Sequence, residues 1–103
     1  MITTITEFRM ETPVTREEAQ DIFHSTASKY QDVPGLLRKS YILSEDGYAL
    51  GGVYLWDSRP EAEAMYTEEW RKFVRGKYGT EPSVTYFDTP VVVDNITDTI
   101  YLE

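Results

Sequence analysis

The chain contains no cysteine. Disulfides, thiolate nucleophiles and thiolate metal ligands are excluded together, and the composition agrees with a reducing, cytoplasmic setting. Histidine occurs once, at His24, and asparagine once, at Asn95. With one imidazole and no carboxylate at a metal-like spacing from it, no transition-metal site is expected. Basic residues are scarce as well: 10 Lys and Arg stand against 18 Asp and Glu, for a net charge of −8 and a pI near 4.6. A nucleic acid or an anionic membrane surface needs a positive footprint that this balance denies. No apolar run approaches the roughly 20 residues of a membrane-spanning helix. Residues 1–10 are interrupted by polar groups instead of forming a basic segment followed by an apolar one.

Aromatic residues are what the chain does have, with eight Tyr, four Phe and two Trp. At 103 residues it has the size of one domain, which we place over residues 1–103, with a core over about 2–94 and a tail over 95–103. Residues 2–10 (ITTITEFRM) are rich in Ile, Thr and Phe and free of Gly and Pro, the composition of a strand. Thr15 and Glu18 then have the spacing of a reciprocal N-terminal cap. Ala19, Ile22, Phe23, Thr26 and Tyr30 follow on one helical stripe that ends before Pro34-Gly35. Residues 36–43 and 48–56 read as two antiparallel strands around Asp46-Gly47, since Gly tolerates the positive φ of such turns. Ser58 and Glu61 repeat the cap spacing, and a second helix is expected to run from there to Gly76 or Gly79. Residues 83–93 read as a strand with a bend at Pro90, and residues 97–102 as one more short strand.

The order β-α-β-β-α-β predicts an α+β domain of ferredoxin-like type, a four-stranded antiparallel sheet with both helices on one face. Such a sheet should alternate apolar and polar residues if its other face is wet, yet Val53 to Trp56 and Val91 to Val93 are consecutive and bulky. Both faces are therefore expected to be dry, the second against another copy of the chain.

Several side chains are candidates for chemistry. His24 is the one group with an ordinary pKa near neutrality and could take a phenolic proton, or it is simply a border histidine. Lys39 and Tyr41 lie two apart on a strand and share a face, with Leu37 expected beside them. Lys39 either snorkels to the edge or serves as a cation for a phenolate. Tyr54 and Trp56 share a face with Gly52, and Tyr66 and Trp70, four apart, could lie over it. A flat ligand would be lined this way, and so would a packed aromatic core. The basic run 71–77 reads as a helix end, not a nucleic-acid patch.

The segments Pro34-Gly35-Leu36-Leu37-Arg38-Lys39, Gly51-Gly52-Val53-Tyr54-Leu55-Trp56, Tyr78-Gly79, and Val84-Thr85-Tyr86-Phe87 through Val92-Val93-Asp94-Asn95 resemble the YdhR-like monooxygenases of the dimeric α/β barrel superfamily. The resemblance implies a homodimer, pairing into a dimeric α/β barrel, and a cavity between helices and sheet. It implies oxidation of a small phenolic, quinol-like or polycyclic aromatic compound by O₂ with no bound cofactor. On that reading Lys39 or His24 handles the proton, and Tyr41, Tyr54, Trp56, Tyr66 and Trp70 bind substrate. The alternatives are a non-catalytic dimeric binder of a small apolar metabolite and a stress or scaffold protein, because a fold does not dictate an activity.

Overall fold

The computed structural model describes residues 1–103. Four strands form one antiparallel sheet: β1 (Ile2–Arg9), β2 (Leu36–Leu43), β3 (Ala49–Trp56) and β4 (Ser83–Asp88), in the order β2-β3-β1-β4. Along β1, Thr4, Thr6 and Phe8 are buried while Glu7 and Arg9 are exposed, the two-residue period of a strand with one face on a core. The threonines that spoil the apolar alternation in the sequence are core residues. Thr4 accepts the indole N–H of Trp56 at 3.0 Å and is bonded to the Tyr66 hydroxyl at 2.5 Å, and Thr6 accepts the backbone N–H of Gly52 at 3.1 Å. Buried hydroxyls without such partners would cost on the order of 1–3 kcal/mol each.

The first helix, α1 (Arg16–Ala27), starts at the expected cap: Thr15 Oγ1 accepts from the Glu18 N–H, and Glu18 Oε1 accepts from the Thr15 N–H, both at 3.1 Å. A 3₁₀ turn over Ser28–Tyr30 prolongs it. The expected second helix is two helices, α2 (Arg59–Met65) and α3 (Glu68–Tyr78). Tyr66, at φ −89° and ψ 56°, leaves the helical region, and Thr67 restarts the helix by accepting the Trp70 N–H. The signal was Thr67-Glu68-Glu69, an N-cap followed by an acidic first turn. Ser58, in contrast, makes no capping bond to the backbone; its hydroxyl donates to the Glu61 carboxylate at 2.8 Å. Gly79, at φ +75°, closes α3.

Two further expectations are corrected. The last strand is broken at Thr89-Pro90, where Pro has no N–H for a ladder. Beyond it, β5 (Val91–Asp94) pairs with the tail strand β6 (Thr99–Leu102) as a separate hairpin. Leu37, expected beside Lys39, sits in a bulge between Leu36 and Arg38 and is 55% exposed. The extra residue places Leu36 opposite Trp56 and Lys39 opposite Tyr54, so both join the inner face.

Arg38, on the other face, donates at 2.8 Å to Asp94 of the hairpin, which also accepts the N–H groups of Ile96 and Thr97. Those two N–H groups, and then Arg38, hold the Asp94 carboxyl below the usual carboxylate range. Val91, Val93, Ile100 and Leu102 of the hairpin remain exposed. The core lies on the other side, where Phe8, Leu50, Tyr54 and Trp56 meet Ala62, Tyr66, Trp70 and Val74. No helix is long and apolar enough to cross a membrane.

Candidate functional site

Strand alternation turns Lys39 and Tyr41 of β2 and Tyr54 and Trp56 of β3 toward the helices. The Lys39 Nζ lies 3.2 Å from the ring centre of Tyr30, 3.9 Å from that of Tyr41 and 4.7 Å from that of Tyr54. Three phenol rings thus surround one ammonium. Gly52, opposite Tyr41, leaves the space: a Cβ there would come within 3.1 Å of Lys39 Cε and 3.0 Å of a Tyr54 ring carbon. Lys39 makes no ion pair and its Nζ no hydrogen bond to protein.

Ring faces attract a cation, but by only about 0.5–2 kcal/mol. Removal from water opposes the charge more strongly. Burial, and then the charge of Lys29, bring the Lys39 amine down to about 7. The surrounding phenols move the other way: burial raises Tyr41 and pushes Tyr54 far above its ordinary value. Near neutral pH Tyr41 and Tyr54 therefore keep their protons beside an amine that can give or take one. The rings are themselves held. Thr26 Oγ1 donates to the Phe23 carbonyl at 3.1 Å, so its oxygen receives the Tyr41 O–H at 2.8 Å, and Trp70 Nε1 donates to the Tyr30 hydroxyl at 3.3 Å.

Around this cage the expected cavity between helices and sheet is almost filled. About 20 Å³ remains, bordered by Lys39, Tyr30, Tyr41, Tyr54 and Phe73, which is room for one water. The larger space, about 780 Å³, is a groove open to solvent between α1 and the β2–β3 turn, lined among others by Arg16, Gln20, His24, Tyr41 and Ser44. Phe23 and Tyr41 border both spaces and stack with ring centres 4.6 Å apart, so this pair is the wall between them.

The candidate residues consequently divide. Lys39, Tyr41, Tyr54 and Trp70 border the inner space. His24 is exposed in the outer groove, on the other side of the wall from Lys39. Trp56 and Tyr66 border neither space: Trp56 is 0% exposed, and Tyr66 packs edge-on against Tyr54, Trp56 and Trp70. As packed, they meet core atoms and no free volume. Tyr30 and Phe23 belong to the site although the sequence offered them only as a helix stripe. Their positions on that stripe, beside Thr26 and facing β2, were the available signal.

No protein-family model matches the chain, and no curated protein matches it in sequence. Solved structures match its fold. A monooxygenase from the gene ActVA-Orf6 of Streptomyces coelicolor, in complex with the ligand nanaomycin D, superposes with a TM-score of 0.64 at 17% identity, over 85% of this chain and 86% of that one. SnoaB, a cofactor-independent oxygenase from Streptomyces nogalater, gives 0.63 at 13% identity, over 91% and 97%. An antibiotic biosynthesis monooxygenase gives 0.63 at 15% identity, over 86% and 98%. The chain has the ferredoxin-like α+β fold of these proteins.

Proposed function

We propose that this protein is a cofactor-independent monooxygenase acting on a small phenolic, quinol-like or polycyclic aromatic compound, of the YdhR-like kind its segments resemble. The observation that carries the reading is the Lys39 amine, held without a counter-ion among Tyr30, Tyr41 and Tyr54 and titrating near neutrality. A substrate hydroxyl gives its proton to the neutral amine, and the ammonium so formed stabilises the electron-rich anion. That anion is the electron donor to O₂. For a methylene carbon the balance is CH₂ + O₂ → C=O + H₂O, with one oxygen atom entering the product and the other leaving as water. The aromatic walls supply stacking surface, and the substrate reaches Lys39 as Phe23 and Tyr41 swing aside. The neighbours' activity as oxygenases supports the reading by likeness of fold.

The filled interior favours a second reading, a binder of a small apolar molecule in the outer groove with no chemistry at Lys39. Oxygen uptake with a panel of anthrones and quinols, in air and under nitrogen, separates the two. The oxygenase reading expects uptake above the uncatalysed rate, with product formed only in air. Binding without uptake would leave the second reading.

The working unit we propose is a homodimer. Val91, Val93, Ile100 and Leu102 on the hairpin, with Phe87 and Ile42 on the open sheet face, form an unpartnered apolar surface. A stable interface needs about 800 Å² per partner; the four-strand face alone spans roughly 500 Å² in projection, and the relief of its side chains with the exposed hairpin adds to that. Sedimentation should give twice the chain mass at micromolar concentration, and truncation after Asn95, which removes β6, should weaken association. A stable monomer would refute the dimer.

A further inference from the structure

The chain has four lysines, at 29, 39, 72 and 77, and six arginines. Four of the arginines, Arg38, Arg59, Arg71 and Arg75, form ion pairs with carboxylates. No lysine does, in a protein with 18 acidic side chains to offer. Three of the four converge. Lys29 follows α1, and its Nζ lies 3.4 Å from the ring centre of Phe73 on α3. Lys77, one turn beyond Phe73, reaches back and donates to Ser25 of α1 at 3.2 Å. Lys29 lies near enough to Lys39 and Lys77 to feel both: its charge lowers Lys39, and burial and then Lys77 lower Lys29 itself. Phe73 and Tyr78, beneath Lys29 and Lys77, border the inner space that Lys39 borders from the sheet side.

A helix end attracts a cation, which accounts for lysines near the ends of α1 and α3. It does not account for each leaning onto the other helix, over the same small cavity, with no carboxylate drawn in. Like charges gathered this way repel and oppose folding unless an anion joins them.

We propose that Lys29 and Lys77 form an anion-accepting rim above the Lys39 cage, and that the ligand is an aromatic carboxylate, its carboxylate held at the rim and its ring directed toward Lys39. This rests on the Lys39 cage being the ligand site, and on the same movement of Phe23 and Tyr41 that opens its one-water space to a ring. A carboxylate supplies the missing counter-charge, and charge-assisted bonds to it are the strong ones. The phenol rings below present no second cation besides Lys39 and so favour a ring over a second acid group.

The test uses binding, without reading oxygen uptake. At pH 6.5 and low salt, 3-hydroxy-2-naphthoate and 2-naphthol are titrated by fluorescence or calorimetry. The naphthoate should bind about tenfold more tightly. The double variant Lys29→Gln, Lys77→Gln should lose that preference while keeping its affinity for the naphthol, and Lys72→Gln should change neither. Because the double variant removes a repulsion, its melting temperature should not fall. Equal affinities in the wild type, no binding of either probe, or a preference that survives in the double variant would overturn the proposal. Carboxylate-selective binding in a protein that consumes no oxygen would uphold the rim and sink the oxygenase reading instead.

Discussion

On the proposed function, Lys39→Met is expected to lower turnover of a phenolic substrate by about 10²- to 10⁴-fold, the usual range for loss of a general base, while making the fold more stable at pH 6. The two effects separate because methionine keeps the apolar stem and discards the charge. In the folded chain the amine titrates at about 7, against an ordinary lysine value of 10.5. Between these values the unfolded chain binds the extra proton, so stability rises with pH over that window. The penalty for the buried charge is fully present below pH 7 and fades toward pH 10.5. Lys29 is the charged group facing it, and the rings of Tyr30, Tyr41 and Tyr54 complete the shell. Discounted for the solvent that still reaches the site, the variant should gain about 2 kcal/mol at pH 6 and much less at pH 9.5, read from urea melts. Wild-type activity should climb through pH 7. Parallel loss of activity and stability in the variant would make Lys39 a packing residue.

Lys39 and Tyr41 were legible as a pair because the two-residue period of a strand needs no tertiary information. Leu37 was not, because a bulge is set by how Leu36 meets Trp56 across the sheet and leaves no mark in a run such as LLRKSYIL. The four-stranded antiparallel sheet and the first cap were likewise topological or local facts. The break at Tyr66 was hidden by a helical period that continues on both sides of it, although Thr67-Glu68-Glu69 carried the restart. Most of the site could be named but not sorted. Whether an aromatic borders a space or fills a core depends on the helices above it, and Trp56 and Trp70 look alike until α2 and α3 are placed. The unpaired state of Lys39 was equally out of reach, since 18 carboxylates could have been its partner.

Trp56→Ala should cost about 3–5 kcal/mol in urea denaturation, a large share of the 5–15 kcal/mol that typically holds a domain together. The indole is wholly buried, lies parallel to the Tyr54 ring with centres 5.9 Å apart, and donates to Thr4. Its loss leaves a cavity and takes a donor from a buried hydroxyl. Trp56→Phe refills most of the volume and should cost about 1–2 kcal/mol, chiefly the missing N–H. If Trp56 supports the sheet without meeting ligand, KM and kcat of the Phe variant stay within about twofold of wild type when corrected for the folded fraction. A raised KM at unchanged stability would return Trp56 to the substrate.

Of the four strands of the sheet, β1 comes earliest in the chain, yet it is an interior strand. β1 pairs with β3 on one side and with β4, residues 83–88, on the other. A nascent chain that has not yet produced residue 83 can assemble at most β2, β3 and β1, with β1 as an unprotected edge. That is the moment of greatest risk of pairing with another chain, since open edges and unfinished cores are what aggregating intermediates share. Three of the strand's first six residues are threonine, which accepts strand geometry and holds water until its partners arrive. The hydroxyls that bind Trp56, Tyr66 and Gly52 inside the finished core are thus also groups that water can satisfy while the strand is still an open edge.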